Sequence, residues 1–267
     1  MPLRYDPLRY VAIGDSLSEG VGDEPWPDGT PRGWTDRLAE LLADHYGRIE
    51  YANHAVHGYK THQILTCQRD AALAQAPDYL TVTAGMNDLL RPRVDFETLR
   101  SDLIELVEPF HLRGIPIVIV PIPDLRRFAP VSRLVEHNRA RLNSVYRELA
   151  ASHGVRPITD TTGTVFEDPR AWADDHLHLS PLGHRRLAVA AADAFGVPDE
   201  GGWASPPDGP PPRLSVRTEA RWAREHLVPW VNRRLRGASS GDGRAAKRPE
   251  PGLIVARDPN AAAGPRA

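Results

Sequence analysis

The chain has 267 residues, 41% of them hydrophobic and 25% charged, which places it among ordinary soluble globular proteins, with one domain of about 200 residues and an appendage. Its formal net charge of -2 argues against a global pull toward nucleic acid or anionic lipid, and Cys67, its single cysteine, excludes an intrachain disulfide or a cysteine metal cluster. No apolar run could span a bilayer and the first residues lack the apolar core of a secretory signal, so the cytoplasm is the expected compartment.

Residues 10–13 form a short apolar run that ends abruptly in Gly14-Asp15-Ser16, followed by a polar, glycine-bearing segment up to Gly22. This reads as a buried strand breaking into a turn. Ser16 then stands just past the C-terminal end of the strand, the edge at which open α/β sheets bind ligands, and its hydroxyl is a candidate nucleophile. A turn serine capping a following helix is the plainer alternative. Residues 22–33 read as a surface loop beside that edge, flanked by Trp26 and Trp34, which either line a pocket or anchor the loop.

Residues 34–46 carry Leu38, Leu41 and Leu42 at helical spacing, and Gly47 is a fitting stop. A second strand over 49–53 leads through the turn at Gly58 into a helix over 61–75, within which Cys67 reads as a small buried residue. A third strand over 78–83 runs straight into Gly85-Met86-Asn87-Asp88. Beyond it, helices over 96–112, 131–152 and 181–195 alternate with strands over 115–122 and 155–159. Regular alternation predicts a parallel sheet covered by helices on both faces. The chemistry-bearing residues fall at or just after strand ends.

A serine esterase needs an activated hydroxyl, a base, a carboxylate that orients the base, and donors aimed at the developing oxyanion. Ser16 offers the hydroxyl. In the polar loop Asp174-Asp175-His176-Leu177-His178, an Asp three residues before a His can set its carboxylate near Nδ1, as for Asp175 and His178, and Pro181 opens the helix that steadies the loop. The N–H groups of Ser16 and Gly58 and the carboxamide of Asn87 are candidate oxyanion donors. Asp15 and Asp88 read as turn-orienting residues and His184 as a helix-surface or packing residue. The cluster of Asp174, Asp175, His176 and His178 also admits a metal-site reading, with His54 and His57 as further ligands.

Four blocks carry a resemblance: Gly14-Asp15-Ser16-Leu17, Asn53 followed by Gly58, Gly85-Met86-Asn87-Asp88, and Asp175-His176-Leu177-His178. In order and rough spacing they resemble the blocks of the SGNH, or GDSL, hydrolases over residues 10–195. No Gly-x-Ser-x-Gly elbow of the α/β-hydrolase type is present. The resemblance implies a flavodoxin-like three-layer α/β/α sandwich with a parallel central sheet, and hydrolysis of esters or thioesters, including acetyl groups on sugars, without metal or other cofactor. It implies Ser16 as nucleophile, His178 as base, Asp175 as its orienter, and the Ser16 amide, Gly58 and Asn87 as the oxyanion hole. His57 departs from the pattern, because many members carry a small residue before that glycine.

The implied hydrolase domain occupies residues 1–198. Residues 199–214 read as an extended Gly/Pro linker, and 215–236 as a basic amphipathic helix with seven Arg against two Glu between Arg213 and Arg236. That helix either docks back on the domain or meets a membrane surface, nucleic acid or another partner. Residues 237–267 are small, polar and Pro-rich and are expected to be disordered. A catalytically inactive scaffold using the basic helix is the competing function, and the expected partner of the enzyme is a small acyl ester whose pocket is walled by loops 22–33 and 125–133.

Overall fold

The computed structural model describes residues 6–91, 93–124, 132–158, 161, 163–198, 202–211, 224, 241 and 243–257, with only the backbone of 132–134. Six strands, β1 (Leu8–Ile13), β2 (Arg48–Asn53), β3 (Tyr79–Val82), β4 (Ile117–Ile119), β5 (Arg156–Pro157) and β6 (Arg248–Val255), form one sheet in the order β5-β4-β3-β1-β2-β6. The first five are parallel, and β6 runs antiparallel to β2. The parallel part has the flavodoxin-like order, whose connections diverge between β1 and β3 and leave a crevice at their C-terminal ends.

The helices are α1 (Ser16–Glu19), α2 (Trp34–Tyr46), α3 (Thr61–Ala74), α4 (Met86–Leu89), α5 (Phe96–His111), α6 (Ser132–His153) and α7 (Pro181–Ala194). Because successive strand side chains alternate in direction, Tyr10 and Ala12 of β1 join one core with Leu38 and Leu42 of α2 and Leu187 of α7. Val11 and Ile13 join the opposite core with Ile64 of α3, Leu103 of α5 and Leu142 of α6. Both faces of β1 are thus buried, which is why it reads as a continuous apolar run. The three layers form the flavodoxin-like α/β/α sandwich that the resemblance implied. Truncating a fully buried leucine such as Leu38 would cost about 2–5 kcal/mol.

Element limits follow local signals closely. Gly47 ends α2 at φ 87°, and Pro181 opens α7 behind Ser180, whose hydroxyl accepts from the Gly183 N–H. Of the two tryptophans, Trp26 anchors its loop under the Arg32 guanidinium, 4.6 Å above the ring, whereas Trp34 is fully buried in the core and does not line the pocket beside Ser16. Cys67, expected to be buried, is exposed, because the buried stripe of α3 passes through Ile64, Leu65, Gln68 and Ala72.

The expected disorder of 237–267 is corrected at its centre, where Arg248–Val255 pairs with β2. Without it β2 would be an open edge, and an edge strand tolerates Pro249 and Pro251, which lack a ladder donor. Ile254 packs against the core of α2 and α7. Just before the strand, Lys247 is buried, donates to the Pro31 carbonyl at 2.9 Å and ion-pairs with Asp36. Burial pushes the Lys247 ammonium down and the Asp36 carboxyl up, and their mutual attraction opposes both shifts.

The expected linker is also corrected over residues 202–211. Trp203 is buried against Phe166 with ring centroids 6.1 Å apart, and Ala204 accepts a 2.8 Å bond from the Val165 N–H. Arg170 donates to the Asp208 carbonyl at 2.8 Å. This stretch is therefore packed onto the domain instead of spacing it from another. The basic helix expected over 215–236 lies outside the described residues, Arg224 excepted. Among the described residues no helix is long and apolar enough to cross a membrane.

Candidate active site

The turn after β1 is held by buried polar side chains. Gly14 has φ 146°, and a Cβ there would lie 2.2 Å from Thr83 Oγ1, so only glycine fits between β1 and β3. The Gln68 carboxamide from α3 closes on this peptide, accepting from the Gly14 N–H at 2.7 Å and donating to its carbonyl at 2.9 Å. Asp15 caps α1, its Oδ1 accepting from the Leu17 N–H and the Thr83 hydroxyl, each at 3.1 Å. Burial pushes the Asp15 carboxyl up to about 6, against the effect of those bonds. Ser16 heads α1, where a backbone N–H has no intrahelical acceptor.

Ser16 Oγ lies 3.0 Å from His178 Nε2, and His178 Nδ1 lies 2.6 Å from Asp175 Oδ2. Asp175 Oδ1 also accepts from the N–H groups of Leu177 and His178, at 3.0 and 2.9 Å. Burial pushes the Asp175 carboxyl up, but the His178 bond, the His178 charge and the two backbone donors outweigh it and hold the group well below the usual carboxylate range. The loop itself is pinned by backbone: Trp172 and Leu179 form an antiparallel bridge, and Ala173 donates to the His178 carbonyl at 2.8 Å. Ser16 and the sequence-distant pair Asp175 and His178 are thus brought into one hydrogen-bonded line.

Asn87 stands in α4 behind Gly85, whose φ of 92° and contact with Leu142 leave no room for a Cβ. Its Nδ2 donates one hydrogen to the Tyr59 carbonyl at 3.0 Å, and Asn87 lines the pocket beside Ser16 and His178. Gly58 occupies the turn before Tyr59 at φ 80°, outside the pocket lining proper. Asp88 Oδ2 accepts from the Thr61 N–H and hydroxyl at 3.0 and 2.9 Å, tying the β3 turn to the start of α3. Asn53 belongs to the scaffold: its Nδ2 donates to the Ser18 carbonyl at 2.8 Å.

His184 is fully buried, accepting at Nδ1 from the Trp34 N–H and donating from Nε2 to the Val21 carbonyl, each at 3.1 Å. Burial lowers it to about 4, so it is a neutral packing residue. His54 pairs with Gln75 at 3.1 Å and His57 with Glu19 at 2.8 Å, which engages both rings away from the Asp175 loop. Among the described residues no three His, Cys, Asp or Glu converge as metal ligands. Gln68, Thr83 and Glu19 are the polar partners that sequence reasoning missed. Gln68 left one signal, a lone amide inside the apolar stripe of α3.

A pocket opens from Ser16 and His178 along Met86, Leu90, Val120, Ile122, Phe166 and Trp172. Most of its lining is apolar, with Asp15, Ser16, Thr83, Asn87, Thr161 and His178 as the polar residues. Loop 22–33, expected to wall it, does not line it; residues 120–123 do, and 125–131 lie outside the described residues.

The model of the GDSL-like Lipase/Acylhydrolase family matches residues 12–186. The fold is similar to that of LAE5, an alpha/beta hydrolase enzyme from the metagenome of Lake Arreo, Spain, with a TM-score of 0.60 at 20% identity over 73% of this chain and 98% of that one. It is also similar to the lipase/acylhydrolase from Enterococcus faecalis (TM-score 0.57, 20% identity, 70% and 95% covered). A third neighbour is Axe2, an acetylxylan esterase from Geobacillus stearothermophilus (TM-score 0.56, 20% identity, 72% and 95% covered). A curated relative, the uncharacterized protein YpmR of Bacillus subtilis (strain 168), is 33% identical over 110 residues, and the match spans 39% of each chain. Because the family match runs from β1 to α7 on this sandwich, the chain belongs to the GDSL-like lipase/acylhydrolase family.

Proposed function

We propose that the protein is a serine esterase that cleaves carboxylic esters of apolar acyl groups through an acyl-enzyme on Ser16. The observation that carries this reading is the unbroken line from Ser16 Oγ through the His178 ring to Asp175, with contacts of 3.0 and 2.6 Å. Asp175, kept ionised, fixes the tautomer with a proton on Nδ1, which leaves Nε2 to take the Ser16 proton as Oγ attacks the acyl carbonyl. The alkoxide of the tetrahedral intermediate is met by the Ser16 N–H, the Gly58 N–H and the Asn87 amide. His178 then protonates the departing alcohol and activates the water that releases the acid. No step in this scheme draws on a cofactor.

The acyl preference is supported by the pocket, whose lining is mostly apolar. Recognition of a sugar would call for donors and acceptors spread along the walls. A deacetylase therefore ranks second, and an inactive scaffold is disfavoured by an intact hydrogen-bonded line. The test is turnover of p-nitrophenyl acetate, butyrate, octanoate and acetylated xylan by wild type and Ser16→Ala, together with labelling by a fluorophosphonate. Labelling and turnover that vanish in Ser16→Ala, with butyrate or octanoate preferred, are expected. Equal activity in Ser16→Ala would remove the serine, and preference for acetylated xylan would remove the acyl chain.

A further inference from the structure

We infer that Glu19 and His57 are positioning residues that lock the turn bearing Gly58 to the helix bearing Ser16, so that the oxyanion donors keep their spacing from the nucleophile. The inference rests on the serine-esterase reading. Helix α1 has four residues, with Ser16 first and Glu19 last, and its single turn is closed by the Glu19 N–H donating to the Asp15 carbonyl at 2.9 Å. So short a helix has little stability of its own, and its far end needs an anchor. Glu19 supplies one: its Oε2 accepts both the backbone N–H of His57, at 2.5 Å, and the ring N–H at Nδ1, at 2.8 Å.

Glu19 is only 8% exposed. Burial pushes the Glu19 carboxyl up, and the bonds from His57 overcome this, so it is ionised at neutral pH. An unpaired carboxylate at that depth would be costly, which makes the pair mutually dependent. The next residue is Gly58, and beyond it the Tyr59 carbonyl accepts from Asn87 Nδ2 at 3.0 Å. A single run of bonds therefore joins Ser16, Glu19, His57, Gly58, Tyr59 and Asn87, linking all three proposed oxyanion donors. Nothing in the Ser16 turn alone would do so.

The C-terminal segment backs the same turn. Gly241 lies against His57, where a Cβ would come within 2.4 Å of the His57 carbonyl and 3.0 Å of the Tyr59 ring. Arg244 and Lys247 contribute positive charge toward Glu19. A glycine turn can rotate its N–H freely, so holding it from both sides is what a preorganised donor requires.

The experiment measures kcat and KM on p-nitrophenyl butyrate, and the rate of fluorophosphonate labelling, for full-length Glu19→Ala, Glu19→Gln and His57→Ala. A remote core truncation, Leu103→Ala, serves as the stability control. Expected for Glu19→Ala is a fall in kcat on the order of 10- to 100-fold with KM within about threefold, and slower labelling in parallel. Glu19→Gln, whose amide oxygen still accepts from His57, recovers most of the rate, and His57→Ala, which keeps the backbone bond, falls between. Leu103→Ala lowers the Tm without lowering kcat. A folded Glu19→Ala with kcat within twofold of wild type overturns the inference, as does a loss that Leu103→Ala reproduces at equal Tm. Should Glu19→Ala not fold, an unchanged kcat in His57→Ala overturns it equally. Ser16→Ala in the same assay isolates the underlying reading: activity surviving there overturns the serine mechanism and the inference with it, whereas activity lost there but retained in Glu19→Ala overturns the inference alone.

Discussion

The Ser16 turn and the His178 loop bring the two ends of one hydrogen bond together by different means. The turn is fastened by buried side chains, with Gln68, Thr83 and Asp15 all reaching the peptide groups around Gly14. The loop is fastened chiefly by its own backbone, through the Trp172–Leu179 bridge and the Ala173 bond to the His178 carbonyl, with the Asp175 side chain accepting two further N–H groups. The difference separates stability from chemistry. A side chain lost from the turn leaves buried polar groups unsatisfied, whereas one lost from the loop leaves the backbone bridge standing.

The largest effect tests the loop. His178→Ala should lower kcat/KM by about 10^4 or more, and Asp175→Asn by about 10^3 to 10^4, since the wrong tautomer then faces Ser16. Thermal melts at neutral pH should fall modestly in both variants, because each removes a partner from the stabilising Asp175–His178 pair. If both variants melted far below wild type, the loop would be a folding element and the comparison would fail.

A smaller effect tests the turn. Gln68→Leu removes both bonds to Gly14 in a buried site, stranding one donor and one acceptor, at a cost of about 2–5 kcal/mol. Urea denaturation should show that loss together with reduced turnover. A variant of unchanged stability would mean that the turn holds itself.

The smallest effect separates the two carboxylates by pH. The Asp15 carboxyl is raised to about 6 in the folded chain, above its unfolded value, so the native state binds the extra proton. Stability should therefore fall by about 3 kcal/mol as pH rises from about 4 to 6 and stay level above, and Asp15→Asn should flatten that slope. Asp175 has the opposite sign, because its folded pKa is depressed. Its contribution is fully present above the unfolded carboxylate value and is lost as pH falls below it. Denaturation curves from pH 3 to 7 on wild type, Asp15→Asn and Asp175→Asn would resolve the two slopes, and identical slopes in all three would contradict the burial of Asp15.

Legibility followed the range of the physical signal. The break from residues 10–13 into Gly14-Asp15-Ser16 was readable because glycine and a capping Asp act within a few residues of themselves. The Asp175 and His178 pairing was readable for the same reason, since three residues suffice to bring carboxylate and imidazole together. Cys67 was misread because a one-residue rotation on α3 decides between core and solvent, and Trp34 stayed ambiguous because an aromatic beside a loop carries no mark of which way it points. Strand β6 was hidden in a segment whose average composition is polar and Pro-rich, although Leu253-Ile254-Val255 needed only an open edge to pair with.

The order of residues alone determined the alternation of strands and helices and singled out candidates for nucleophile, base and orienter, because each rests on spacing within a turn or a periodic stripe. Only the folded chain decided that Glu19 meets His57, that Gln68 clasps Gly14 and that Lys247 and β6 return to the edge of β2. Those contacts join residues far apart in sequence. Their energy comes from burial and geometry that no local pattern encodes.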